Sequence, residues 1–139
     1  MHLLDTDTLT HLHAGHPRVV AHLQRADDPT IGTTVVTKIE LLRGRFEQLL
    51  KAASGAECAR AQERLSRTEE LLDQIRIVPF DAAAAARFDR LRALPRLRLG
   101  RADLVIASIA LAHRATLVTR NVRHFRPVSG LRVVNWVDQ

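Results

Sequence analysis

Cysteine is almost absent from this chain: Cys58 stands alone among 139 residues. A single thiol closes no internal disulfide, so stability has to come from a packed core, as expected in a reducing compartment. No stretch approaches the ~20 apolar residues of a membrane span. No basic N-terminal region leads into a long apolar segment. These absences predict a soluble, cytoplasmic protein with no membrane partner. Aromatics are few: Phe46, Phe80, Phe88, Phe125 and Trp136. Most fall at positions that read as core, so stacking platforms for single-stranded nucleic acid are not evident. Internal repeats, low-complexity tracts and linkers are missing too. A chain of this length buries about 68–70% of its unfolded surface, enough for one domain over residues 1–139.

Lysine is scarce, whereas arginine is not. The basic residues comprise nineteen Arg and two Lys, Lys38 and Lys51, and the formal charge is +6. That charge is uneven. Residues 1–75 hold nine Lys/Arg against eleven Asp/Glu, while residues 76–139 hold twelve Arg against four Asp. The planar guanidinium fork suits phosphate recognition, and a basic half suggests a polyanionic partner. Arginine-rich usage from a GC-rich genome explains the composition equally well.

The apolar pattern gives a regular order of elements. Residues 2–4 read as a strand and about 7–14 as a helix, with a second short helix around Val19, Val20 and Leu23. Thr30–Thr33 is a second strand. Val35, Val36, Ile39, Leu42, Phe46, Leu49, Leu50 and Ala53 form a helical stripe, closed at Ser54-Gly55. A polar helix over about 57–74 pairs with it, making a helical hairpin over about 35–74. Residues 75–80, 115–119 and 131–135 are further strands. An alanine-rich helix follows Asp81, and residues 103–113 are apolar nearly all round, as in a buried helix. This alternation predicts an α/β fold with a parallel sheet between helical layers.

Four polar residues stand where chemistry is expected. Asp5 ends the first strand, and ligand sites in parallel sheets lie beyond the carboxyl ends of strands. Glu40 interrupts an apolar helical stretch, Asp103 opens the buried helix, and Asn121 follows the fourth strand. Plainer explanations exist. Asp5, Asp7 and Asp103 have the look of helix N-caps, each worth about 1 kcal/mol, and Asp81 is assigned nothing more. Thr37 to Glu40 matches a capping box. However, the stripe starts the helix near Thr33 or Thr34, which leaves Glu40 as a mid-helix carboxylate beside the core, a costly arrangement unless it is paired or metal-bound. Gathered carboxylates repel one another unless a cation sits among them. Mg²⁺ or Mn²⁺, which take oxygen ligands, are the natural choice. Beside a basic surface such an ion suits phosphodiester hydrolysis. Arg98, Arg101, Arg120 and Arg123 are the candidate phosphate contacts.

At these residues the chain resembles the PIN-domain ribonucleases, specifically the VapC-type toxins. The likeness is carried by Leu-Leu-Asp5-Thr-Asp7, by Thr-Lys-Ile-Glu40-Leu-Leu-Arg-Gly44, and by Gly100-Arg-Ala-Asp103-Leu-Val-Ile-Ala-Ser108. Leu-Val-Thr-Arg-Asn121-Val-Arg-His-Phe125 and Gly130-Leu-Arg-Val-Val-Asn-Trp136 complete it. The resemblance implies a three-layer α/β/α sandwich around a mostly parallel five-stranded sheet. It further implies a metal-dependent endoribonuclease acting on tRNA or rRNA, a homodimer, and a cognate antitoxin that holds it inactive. The family's three core acids fall on Asp5, Glu40 and Asp103, with Mg²⁺ or Mn²⁺ held mainly by Asp5 and Asp103. Asn121 stands where relatives often carry Asp, and His124 where many carry Asp or Glu. Asp7 and Thr119 are expected to support the site from behind.

Two other readings compete. Asp5-Thr-Asp7-Thr8 also resembles the nucleophile motif of haloacid-dehalogenase-type phosphatases, with Thr119 as the later hydroxyl. That chemistry needs a late lysine and a closing acidic pair, whereas both lysines are early and Asp138 is the only acid after Asp103. The alternative in another class is a non-catalytic RNA- or antitoxin-binding module whose site has decayed at Asn121 and His124.

Overall fold

The computed structural model describes all residues, 1–139. Five short strands form one sheet: β1 (His2–Leu4), β2 (Ile31–Thr34), β3 (Arg76–Val78), β4 (Thr116–Val118) and β5 (Arg132–Val134). Their order is β3-β2-β1-β4-β5, and every pairing is parallel, not merely most of them. The chain begins in the central strand, winds outward to β3, then returns past β1 to build β4 and β5. The reversal falls between β1 and β4, where Leu3 lies opposite Leu117. In open α/β sheets this switch point is where ligands bind.

Helices cover both faces: α1 (Thr6–His13), α2 (Pro17–Arg25), α3 (Val35–Leu50), α4 (Gly55–Gln74), α5 (Ala82–Arg92), α6 (Arg101–Ala112) and the short α7 (Val122–Phe125). Successive strand residues point to opposite faces, and the core divides accordingly. Leu3 packs with Ala84 of α5 and Ile109 and Ala110 of α6. Leu4 packs on the other face with Leu9 of α1, Val19 of α2, Val118, Trp136 and Val137. No helix is long and apolar enough to cross a membrane.

Several boundaries move. α4 starts at Gly55 because Ser54, expected to close the preceding helix, instead caps this one by accepting the Glu57 N–H. α6 starts at Arg101 behind Gly100, so Asp103 lies within its first turn and does not open it. α3 and α4 pack as the expected hairpin. The stripe on α3 is another matter: Ile39, Phe46 and Leu50 are 49%, 48% and 84% exposed. Among the aromatics, Phe125 and Trp136 are buried, whereas Phe46 and Phe80 are exposed. Gly32 faces Arg76 across β2 and β3 so closely that a Cβ would meet its carbonyl oxygen at 2.7 Å.

At the amino end of the sheet, Asp28 is 9% exposed and pairs with the Met1 amino group at 3.0 Å and with His2. Burial alone would raise its pKa; the Thr30 N–H, the Met1 ammonium and His2 together outweigh that and lower it to about 2. A depressed carboxyl stabilises the fold above its unfolded pKa, and the gain disappears as pH falls through the folded one. Asp28→Asn should therefore cost about 2 kcal/mol at neutral pH. In urea titrations run as a function of pH, the gap to the parent should close between roughly pH 4 and pH 2. A gap that persists at pH 2 would mean that packing, not charge, is at work.

Candidate metal centre at the strand ends

Asp5 follows β1 directly. Its N–H donates to Val118 O (3.0 Å), which holds the strand end against β4. Its Oδ1 accepts the Thr8 N–H at 2.8 Å, so Asp5 does cap α1. A cap occupies one carboxylate oxygen, and Oδ2 plays no part in it. Asp5, Asp7, Arg120, Asn121 and Asp138 line one polar cavity of about 390 Å³. Asp7 and Asn121 are exposed, and Asp5 is half-buried. Asn121 arrives on the loop after β4. Its N–H donates to Thr119 Oγ1 at 3.1 Å, while the Thr119 N–H is anchored on Val134 O of β5. Thr119 is buried and braces that loop.

The other two acids stand apart from this cavity. Glu40 is exposed, so the expected cost of a carboxylate beside the core does not arise. Its Oε1 accepts the Thr6 hydroxyl at 3.3 Å, and Thr6 also reaches Thr37 Oγ1, linking α1 to α3. Asp103 Oδ2 lies 2.8 Å from His124 Nε2. No three His, Cys, Asp or Glu side chains come close enough together to hold a metal unaided. Glu40 and Asp103 are instead engaged with Thr6 and His124.

Of the four candidate phosphate contacts, Arg98 and Arg123 are exposed. The Arg101 guanidinium lies 5.8 Å over the Phe88 ring. Arg120 is engaged: Nε and Nη2 donate to Asp138 Oδ2 and Oδ1 at 3.1 and 3.3 Å, and Nη1 is 3.8 Å from Asp7. These contacts raise the Arg120 pKa, the Asp138 hydrogen bonds most. Asp138 is lowered, first by its bond from Asn135 and then by Arg120. Sequence reasoning missed Thr6 and Asp138. The only hint of Asp138 was Asn135 three residues earlier, a spacing suited to an Asx turn.

A PIN-domain family model matches residues 2–131. The chain belongs to the PIN-domain family. Within it, the likeness is to VapC proteins. Ribonuclease VapC2 of Rickettsia felis is 33% identical over 78 residues, 54% of this chain and 58% of that protein. A tRNA(fMet)-specific endonuclease VapC of Salmonella typhimurium is 30% identical over 125 residues, 79% of this chain and 95% of that one. The crystal structure of VapBC2 from Rickettsia felis bound to a promoter DNA fragment superposes with a TM-score of 0.74 at 28% identity, covering 97% of this chain and 98% of that one. The five-stranded sheet with helices on both sides is therefore that of PIN-domain VapC proteins.

Proposed function

We propose that this PIN-domain chain is an Mg²⁺- or Mn²⁺-dependent endoribonuclease, the toxin of a toxin–antitoxin pair. The observation that carries the reading is the cavity at the β1/β4 switch point, where Asp5, Asp7 and Asn121 meet within a chain whose second half is strongly basic. The VapC names of its relatives support it.

The donor set fits a hard divalent cation. The cavity is lined by the carboxylates of Asp5, Asp7 and Asp138, the Asn121 amide and one cation, Arg120, which is paired with Asp138; no thiol is among them. Three side chains do not close around one point, which suits Mg²⁺, an ion that takes one or two carboxylates and fills the rest with water and substrate phosphate. Asp5 would hold it from the cavity wall; Asp103, the second ligand that the family resemblance implies, lies outside that wall beside His124. When bound, such an ion lowers the pKa of a water and offsets charge growing on the phosphate. The chain's own residues do the rest. Asn121 brings an amide instead of a charge, able to orient a water or meet a phosphate oxygen. Thr119 fixes the Asn121 backbone, and the Thr6 hydroxyl orients Glu40. Arg98, Arg123 and the free edge of Arg120 bind the phosphate backbone of RNA.

Two partners are proposed besides RNA: a cognate antitoxin and a second copy of the chain. Two separate apolar surfaces stay uncovered, one formed by Ile39, Leu42, Phe46 and Leu50 on α3 and one by Phe80 and Phe88 near α5. The Salmonella relative's name favours tRNA over rRNA as the first substrate to try.

The test is cleavage of a tRNA and rRNA panel by purified protein. Cutting should require Mg²⁺ or Mn²⁺, stop in EDTA, and return when metal is added back. Cutting that continues in EDTA would sink the metal mechanism. RNA bound but never cut would favour the non-catalytic module, for which Asn121 and the Asp103–His124 contact already speak.

A further inference from the structure

The C-terminal segment ends in a built turn, not a loose tail. Trp136 and Val137 are buried with Leu4, Leu9, Val19 and Val118. Asn135 Oδ1 accepts the N–H groups of Val137 and Asp138, both at 3.0 Å, and its Nδ2 donates to Asp138 Oδ2. Arg18 of α2 donates to the Asp138 carbonyl oxygen at 2.7 Å. Three contacts thus converge on one exposed aspartate. An exposed ion pair contributes little to stability, so stability is a poor reason for the arrangement. What it does achieve is orientation. The carboxylate takes the Nε/Nη2 edge of Arg120 as a fork, which fixes the guanidinium plane. Nη1 is left at 3.8 Å from Asp7, beyond hydrogen-bond distance, in the wall of the acidic cavity.

We propose that Asp138 is a positioning residue: the buried Trp136–Val137 anchor delivers it to Arg120, and it holds that guanidinium with Nη1 turned to a phosphate entering the Asp5 cavity. The inference rests on the ribonuclease reading for its substrate. It adds the C-terminal turn to the working parts of the site. A free arginine among Asp5, Asp7 and Asp138 has several carboxylates to choose from. The Asn135 turn restricts that choice, because it presents both Asp138 oxygens from a fixed backbone.

The sign of one effect separates positioning from simple charge. Deleting an acid beside an RNA path should tighten binding if only net charge matters. If Asp138 positions Arg120, deleting it should weaken binding. The experiment uses the full chain in a cleavage-dead Asp5→Asn background, with a tRNA transcript as probe and Kd measured across a salt series. Asp138→Ala and Arg120→Ala should each weaken binding about tenfold and lower the salt slope by about one ion. The double variant should be no worse than Arg120→Ala alone. Arg120→Lys, which keeps the charge but loses the fork, should resemble Arg120→Ala. In the active protein, Asp138→Ala should lower kcat/KM about tenfold. Asp138→Ala binding as tightly as its parent, or tighter, overturns the proposal. So does a fully additive double variant. If the active protein cuts no RNA, the ribonuclease reading fails by itself, and the sign of the Asp138→Ala effect on binding still decides this one.

Discussion

Asp5→Asn should lower RNA cleavage by about 100-fold or more while leaving the fold intact. The two halves of this expectation come from the two oxygens of one carboxylate. Oδ1 accepts the Thr8 N–H and starts α1. An asparagine oxygen makes the same cap, since Asn and Asp are nearly equal at this position. The change therefore removes a negative charge from the cavity without unsettling the helix. Asp5→Ala takes away cap and charge together, at a further cost of about 1 kcal/mol, or roughly 4 °C in Tm. Cleavage rates and thermal melts of the three proteins give the answer together. An Asn variant that cuts at the parental rate would remove Asp5 from the chemistry. An Asn variant that melts as low as the Ala variant would show that the cap needs the charge.

Trp136→Ala should destabilise the protein by about 3–5 kcal/mol, a large share of the about 5–15 kcal/mol a domain of this kind possesses. The indole is 5% exposed and is the largest side chain of the cluster that joins β1, β4, α1 and α2. The His22 ring stacks on it at 5.7 Å and the His2 ring tilts against it at 5.2 Å. Its removal opens a void bordered by strands and helices that cannot all close on it. Trp136→Phe keeps most of the volume and should lose clearly less. Urea titration of the three proteins measures both. A loss below about 1 kcal/mol for the alanine variant would mean that the tail is dispensable to the core. Because Trp136 also carries Asp138, its alanine variant should lose RNA affinity even under conditions where it is fully folded.

How far the site could be read from sequence depends on the distance over which each contact acts. Asp5 at the end of an apolar run and Asn121 after another were legible, because strand ends in a parallel sheet have a known use and the two strands proved to be neighbours. The capping roles of Asp5 and Asp81 were legible as well, being local hydrogen bonds over three residues. Glu40 was misjudged. Its apolar neighbours suggested a place beside the core, but the stripe on α3 is buried only at its start, at Val36, and is exposed at Ile39, Phe46 and Leu50; no rule of periodicity says whether a stripe meets the chain's own core or another molecule. Asp138 was invisible for a related reason. Its meaning lies in Arg120 and Arg18, and proximity to either is a property of the finished sheet. The Asp103–His124 contact joins α6 to α7 in the same way.

The sheet's winding order has a consequence for when the site comes into being. β1 is the first strand made and the central one, yet its partner β4 begins at Thr116, near the other end of the chain. Contacts between such distant segments close late, because their loop entropy must be met first. A chain still emerging from the ribosome carries Asp5 from the outset, but Asn121 and Asp138 have yet to be added. Until they are, no cavity can form at the β1/β4 junction. On the ribonuclease reading, the site that would act on RNA is therefore assembled only once the last strands are in place.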